Sequence, residues 1–327
     1  MRNFVLAAAA AMFIPSVAQA APCNVTFGGS FSGAYTCNSL GTPTAVTGRL
    51  GGVTFLDNST LLIGGNANEG GGYIASIGVT RDAANHIIGF SGPSTTYASA
   101  PFIDGGLTFG PNGVLFATGY PNNTILQFKP GSTAPDRVDA ANGNLASLGS
   151  LLFVPTGFAG AGGLKLLSYN NGNFSDATLT PDGTGTFAIA SGTPAATLSG
   201  GPEGAVYVSG ANAGFGGFNS LLVAEYGAGS VGAYRIDANG NPIVATRQTF
   251  LSGLSGAEGA LIDSLTGDFL FSTFGSGNQL FVIQGFVAPP QPDAVPEPAS
   301  WAMMLFGFGA LGLAMRRRPR AVRVAAA

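Results

Sequence analysis

The stretch DGGLTFGPNGVLFATGYPNNTILQFKPG, residues 104–131, opens on the phrase Asp104-Gly105-Gly106-Leu107. Two apolar runs follow, Val114-Leu115-Phe116 and Ile125-Leu126-Gln127-Phe128, and Pro111-Asn112-Gly113 stands ahead of the first. Apolar runs this short, bounded by Gly, Pro and Asn, read as strands joined by tight turns; a helix needs ten or more periodic residues. The opening phrase recurs: Leu50-Gly51-Gly52-Val53, Leu148-Gly149-Ser150-Leu151, Glu203-Gly204-Ala205-Val206 and Glu258-Gly259-Ala260-Leu261. The starts lie 54, 44, 55 and 55 residues apart. A second apolar run follows each phrase: Leu61–Ile63, Val114–Phe116, Leu164–Leu166, Leu221–Val223 and Phe269–Phe271. A third follows in most copies, as in Val231–Ile236 and Gln279–Ile283.

Short strands repeating at this period predict an all-β β-propeller of four-stranded blades, because one blade cannot cover both of its own faces. Five copies predict five blades across residues 21–286, and six is the alternative if residues 22–48 belong to a fuller blade. The last copy has three clear strands, so the N-terminal stretch 22–48 is expected to supply its outer strand and close the ring. A β-sandwich or β-helix is the rival, the latter weakened by its much shorter repeat. The blade at 104–131 resembles those of NHL-type and lactonase-type propellers.

Composition agrees with this reading. Charged residues are 9% of the 327-residue chain, against about 25% in an average domain. Gly supplies 52 residues, Phe 24 and Tyr 8, which suits tight turns around an aromatic core and excludes a long coiled coil or a disordered chain. The net charge of −3 shows no basic face for nucleic acid.

Both ends read as addresses. Arg2, the apolar Phe4–Ile14 and Ala18-Gln19-Ala20 form a signal peptide over residues 1–20, with cleavage expected after Ala20. At the other end, the Pro-rich residues 287–298 form a stiff linker. Ala299–Met315 is a 17-residue uncharged run, the short limit of a membrane helix. Residues 316–327 follow, with Arg316, Arg317, Arg318, Arg320 and Arg323 holding that end in the cytoplasm. Val295-Pro296-Glu297-Pro298, the apolar run and the arginines together resemble the PEP-CTERM sorting signal. The resemblance implies a Gram-negative exported protein, processed in the inner membrane by exosortase and then released to the cell surface or medium. Exopolysaccharide or envelope proteins are its implied partners. An ordinary C-terminal anchor is the alternative.

Without these ends, residues 21–298 hold seven basic and sixteen acidic residues, a net charge of −9. Such a domain disfavours anionic partners and permits cations. Cys23 and Cys37, the only cysteines, are expected to form one disulfide in an oxidising compartment. The intervening Asn24–Thr36 reads as a short hairpin turning near Gly28-Gly29.

Catalytic motifs are sparse. A single histidine, His86, excludes a multi-histidine metal centre, and no Gly-x-Ser-x-Gly elbow accompanies it. Gly227–Gly232 matches G-x-G-x-x-G but leads into a strand, so it reads as a hairpin. Asp237–Asn241 begins like a calcium loop, yet Pro242 and Gln248 stand where Gly and Glu are required. The first position of the repeated phrase is different: it reads Leu50, Asp104, Leu148, Glu203 and Glu258. In a propeller this position enters the inner strand near the channel mouth, so Asp104, Glu203 and Glu258 are expected to converge as oxygen ligands for Ca²⁺ or Mg²⁺. Lactonase-type propellers place a catalytic cation comparably, and Glu203-Gly204 and Glu258-Gly259 resemble their Glu-Gly phrase without its following Pro and Trp. The expectation is therefore an exported binding module with no catalytic residue assigned; a divalent-cation-dependent, lactonase-like hydrolase is the alternative.

Overall fold

The computed structural model describes residues 20–289, apart from 142–144 and 276. Most of the predicted signal peptide, the linker beyond Pro289, the membrane run and the basic tail lie outside the described residues. No helix among the described residues is long and apolar enough to cross a membrane.

Three strands precede the first repeat: β1 (Ala21–Pro22), β2 (Thr26–Phe27) and β3 (Thr36–Gly41). Blade 1 is β4 (Val53–Asp57), β5 (Thr60–Gly65), β6 (Tyr73–Arg81) and β7 (Ile87–Ser99). Blade 2 is β8 (Ile103–Phe109), β9 (Leu115–Gly119), β10 (Thr124–Phe128) and β11 (Arg137–Ala140). Blade 3 is β12 (Leu148–Phe153), β13 (Leu164–Ser168), β14 (Asn173–Pro181) and β15 (Phe187–Thr197). Blade 4 begins with β16 (Pro202–Val208), β17 (Ser220–Glu225), β18 (Ser230–Arg235) and β19 (Gln248–Ser252). Blade 5 begins with β20 (Ala257–Ile262), β21 (Phe269–Thr273) and β22 (Leu280–Gln284). All neighbouring strands are antiparallel, and each repeated phrase lies on or leads into an inner strand. The architecture is a five-bladed β-propeller.

Alternation along the second strands explains why the blades stack. Leu221 and Val223 point into the seam with blade 3, while Leu222 points into the seam with blade 5. A strand with two apolar faces must be covered on both. Leu61 and Ile63 likewise face blade 5, and Leu62 faces blade 2. One apolar cluster fills each of the five seams, so the ring is closed.

Closure uses the N-terminal segment. β3 pairs with β22, placing Cys37 opposite Ile283, and β1 adds outside β3. β2 instead pairs with β19 of blade 4, where Phe27 faces Leu251. Residues 24–36 therefore form no hairpin. Phe31 and Tyr35 between the two strands drop into the seam of blades 4 and 5, against Phe215, Phe250 and Phe286. Burying rings there outweighs a local turn, since each aromatic side chain buries a large apolar area. Cys23 and Cys37 are disulfide-bonded with their Cα atoms 5.3 Å apart, tying the start of this segment to β3.

The repeated glycine is required by close approach at the axis. A Cβ on Gly204 would lie 2.3 Å from the Glu258 carbonyl oxygen of the next blade. Here the inner strands of blades 2 to 5 bulge away from their own second strands, as between Ile103 and Leu107 or Pro202 and Ala205. Hydroxyl groups bridge the resulting gaps. Thr118 accepts from Gly106 N–H at 2.8 Å and donates to the Gly149 carbonyl at 3.0 Å, joining blades 2 and 3. Ser272 accepts from Gly259 N–H at 2.9 Å and donates to Gly51 at 2.6 Å, joining blades 5 and 1.

Candidate functional site

The inner strands bring three carboxylates to the axis: Asp104 on β8, Glu203 on β16 and Glu258 on β20. Each is at most 5% exposed. One oxygen from each lies within 4.8 Å of the others. Leu50 and Leu148 occupy the equivalent positions in blades 1 and 3 and are fully buried, so an apolar position flanks Asp104 on either side around the ring, while Glu203 and Glu258 belong to adjacent blades.

Few donors reach these acids. Asp104 Oδ1 accepts from the Asn68 amide at 2.9 Å and shares a hydrogen bond with Glu258. Glu203 Oε2 is buried without a hydrogen-bond partner among the described residues. Burial pushes the Asp104 carboxyl up to about 7, restrained by its bonds to Glu258 and Asn68. Burial raises Glu203 and Glu258 well above the usual carboxylate range, and the neighbouring charges add to the effect. Three acids this close in a dry site do not all ionise without a cation.

Around this cluster stands a ring of side chains not anticipated from sequence. The residue after the second strand is Asn66, Tyr120, Tyr169, Tyr226 and Phe274 in blades 1 to 5. Its N–H donates to the segment leading into the same blade's inner strand, as Tyr169 to Ser147 O at 2.7 Å, Tyr226 to Gly201 O and Phe274 to Gly256 O, both at 2.8 Å. Tyr169 and Tyr226 meet edge to face at 5.8 Å between centroids, and Tyr226 and Phe274 at 6.0 Å. The signal was present as an aromatic closing the second run in four of five repeats.

Other singled-out residues are structural. Gly227–Gly229 turn between β17 and β18. The Asp237 carboxylate accepts from Asn239 and Asn241 N–H groups and shapes its own hairpin. His86 Nδ1 lies 2.7 Å from Asp268 Oδ2 across the seam of blades 1 and 5, beside the Arg81–Asp263 pair. A further buried acid, Glu225 on β17, was also missed. It accepts from Arg247 (2.5 and 2.8 Å), Ser230 (2.6 Å) and Tyr234 (2.7 Å).

Comparison with known proteins assigns the C-terminal region. Residues 294–318 match the PEP-CTERM protein-sorting motif. The PEP-CTERM signal marks an exported protein that passes through the membrane for sorting, and it implies processing by exosortase. No curated protein sequence matches the chain. Among solved structures, it is similar to a candidate oxidoreductase (glucose dehydrogenase) from Thermus thermophilus, with 14% identity and a TM-score of 0.44 over 76% of this chain and 99% of that one. An auxiliary nutrient binding protein from Bacteroides ovatus is similar at 12% identity and a TM-score of 0.41, over 82% and 76%. The calcium-binding protein regucalcin from Agrobacterium tumefaciens is similar at 15% identity and a TM-score of 0.39, over 73% and 77%.

Proposed function

We propose that the exported propeller is a binding module whose ligand seat is the axial trio Asp104, Glu203 and Glu258, organised by a divalent cation, Ca²⁺. The observation carrying this reading is the convergence of three buried carboxylates within 4.8 Å, one with an unpartnered oxygen. Ca²⁺ binds oxygens at roughly 2.3–2.6 Å, so two ligands across one ion span up to about 5 Å, and it tolerates irregular cages. The ion would neutralise charges that otherwise must be protonated, and it would offer its remaining coordination positions to a ligand in the mouth. In this reading the signal peptide exports residues 21–286, exosortase removes the tail, and the propeller works at the cell surface or in the extracellular matrix, among exopolysaccharide or envelope proteins.

A divalent-cation-dependent, lactonase-like hydrolase is the second reading. It is favoured by one observation: Glu203 Oε2 is buried without a hydrogen-bond partner among the described residues, a carboxylate oxygen left to act as a general base. Calcium titration with a lactone screen separates the two. Calcium should raise the melting temperature of the purified chain without turnover. Lactone hydrolysis that requires calcium and fails in Glu203→Gln would move the assignment to the hydrolase. Absence of any calcium response would remove the cation seat.

A further inference from the structure

We propose that the channel mouth above the carboxylate trio accepts a small organic ammonium ion, its charge facing Glu203 and Glu258 and its apolar shell resting on Tyr169 and Tyr226. This rests on reading the trio as a cation seat, and it names a ligand class for the mouth over it.

The aromatic side chains form a pinwheel in which each ring reaches over the next blade. A Cβ built on Gly201 would lie 2.7 Å from the Tyr169 ring, and one on Gly256 would lie 2.8 Å from the Tyr226 ring. These glycines stand two residues before Glu203 and Glu258. The rings therefore cover the segments that lead directly to the buried acids. Their edge-to-face contacts at 5.8 and 6.0 Å make one continuous aromatic wall across blades 3, 4 and 5. The carboxylates below belong to blades 2, 4 and 5, and Glu203 presents an oxygen without a partner among the described residues.

The wall already holds one organic cation. The Arg49 guanidinium lies over the Phe274 ring, 4.7 Å from its centroid, so that face is taken and the rings left for a ligand are Tyr169 and Tyr226. Aromatic faces attract weakly hydrated cations through the ring quadrupole, and the attraction grows where water is excluded. Burial, and then the charges of Glu203 and Glu258, raise the Tyr169 and Tyr226 hydroxyls above their ordinary range. Both therefore stay neutral, and both stand within the field of the acids. A bare metal ion enters among the oxygens and has no use for the rings. An alkylammonium is too broad to be enclosed by three carboxylates and needs the rings to replace its water. The two cations should thus compete for the acids but differ in their dependence on the wall.

Choline chloride and its neutral isostere 3,3-dimethyl-1-butanol are the probes, titrated calorimetrically into the purified chain. Choline should bind, calcium should compete with it, and the isostere should bind at least about tenfold more weakly. Tyr169→Leu and Tyr226→Leu should each weaken choline by about tenfold while leaving the calcium-induced rise in melting temperature intact. Tyr226→Phe keeps the ring and should retain choline. If calcium binds and choline does not, or if the isostere binds equally, the ammonium proposal fails and the cation seat survives. If neither cation binds, the seat itself is wrong. Should the leucine variants fail to fold, the comparison of choline with its isostere on the parent chain decides.

Discussion

Blade 4 contributes two buried glutamates with opposite surroundings. Glu225, fully buried on β17, is met by Arg247, Ser230 and Tyr234. Burial alone would raise its pKa, yet the hydrogen bonds from Arg247, Ser230 and Tyr234 and the guanidinium charge outweigh it and hold the group below its ordinary value. Glu203, on the neighbouring strand β16, has two acids nearby, and its Oε2 lacks a hydrogen-bond partner among the described residues. The same side chain at similar burial is a satisfied structural anion in one place and an uncompensated group in the other. A fold that completes one carboxylate so fully can complete another, and the shortage of donors at the axis is the difference on which the proposed cation seat rests.

The largest expected effect breaks the satisfied side. Arg247→Met leaves Glu225 buried with neutral donors only. Losing one partner of a buried pair costs roughly 3–5 kcal/mol, and the low end applies because the Arg247 side chain is 31% exposed. Urea unfolding of the variant should show a loss of about 3 kcal/mol, unaffected by calcium. A loss below ~1 kcal/mol would mean that Ser230 and Tyr234 suffice.

The matching change on the other side should have the opposite sign. Glu203→Gln with Glu258→Gln removes two charges and keeps the shape. Without calcium, the double variant should melt at or above the parent temperature. At a hundredfold excess of calcium over its Kd the parent should gain about 2.7 kcal/mol, and the variant nothing. Equal calcium responses in both would reduce the axial acids to packing residues.

Proton linkage sharpens the contrast. Asp104 is raised in the folded state to about 7 from 3.8. Between those values the folded state binds more protons than the unfolded state, so stability is greatest below about pH 4 and falls as pH rises through about 7. The slope approaches roughly 1.4 kcal/mol per pH unit for one proton. Glu225 runs the other way: its depressed value adds stability above its unfolded pKa, which is lost as pH falls through the folded one. Calcium-free melting in Glu225→Gln should therefore retain the decline between pH 5 and 7, and Asp104→Asn should lose the share of it that one proton contributes. A flat parent profile over that range, with Glu225→Gln equally flat, would refute the axial linkage.

Legibility from sequence followed the physics of each region. The axial acids could be found because the glycine beside them is sterically required, which prints the inner strand five times at readable spacing. The outer strand supplied by β3 was legible because the fifth repeat lacked one. The aromatic ring was harder to see: Tyr120, Tyr169, Tyr226 and Phe274 fall 16, 21, 23 and 16 residues after their phrases, since loop insertions precede them. β2 carries two residues and no periodicity, so its pairing with β19 depends on the aromatic seam that Phe31 and Tyr35 fill. Arg247 stands 22 residues from Glu225, with only the antiparallel pairing of β18 and β19 to bring them together.

The smallest effect compares one donor group at each site. Tyr234→Phe removes the hydroxyl that donates to Glu225 at 2.7 Å, and Asn68→Gly removes the amide that donates to Asp104 at 2.9 Å and to the Ile103 carbonyl at 3.2 Å. Glycine suits position 68 because Asn68 has a φ of 65°, which a Cβ disfavours. Glu225 stays ionised across neutral pH, so its lost bond should cost about 1 kcal/mol at both pH 5 and pH 8. Asp104 has another recourse, because at pH 5 it is protonated and no longer depends on a donor. Asn68→Gly also loses its bond to the Ile103 carbonyl at either pH, so its cost should be about 1 kcal/mol greater at pH 8 than at pH 5 in calcium-free buffer. Denaturant unfolding of both variants at both pH values measures the difference directly. A pH-independent cost for Asn68→Gly would mean that Asp104 is already ionised at pH 5 and that the axial acids are as well supplied with donors as Glu225.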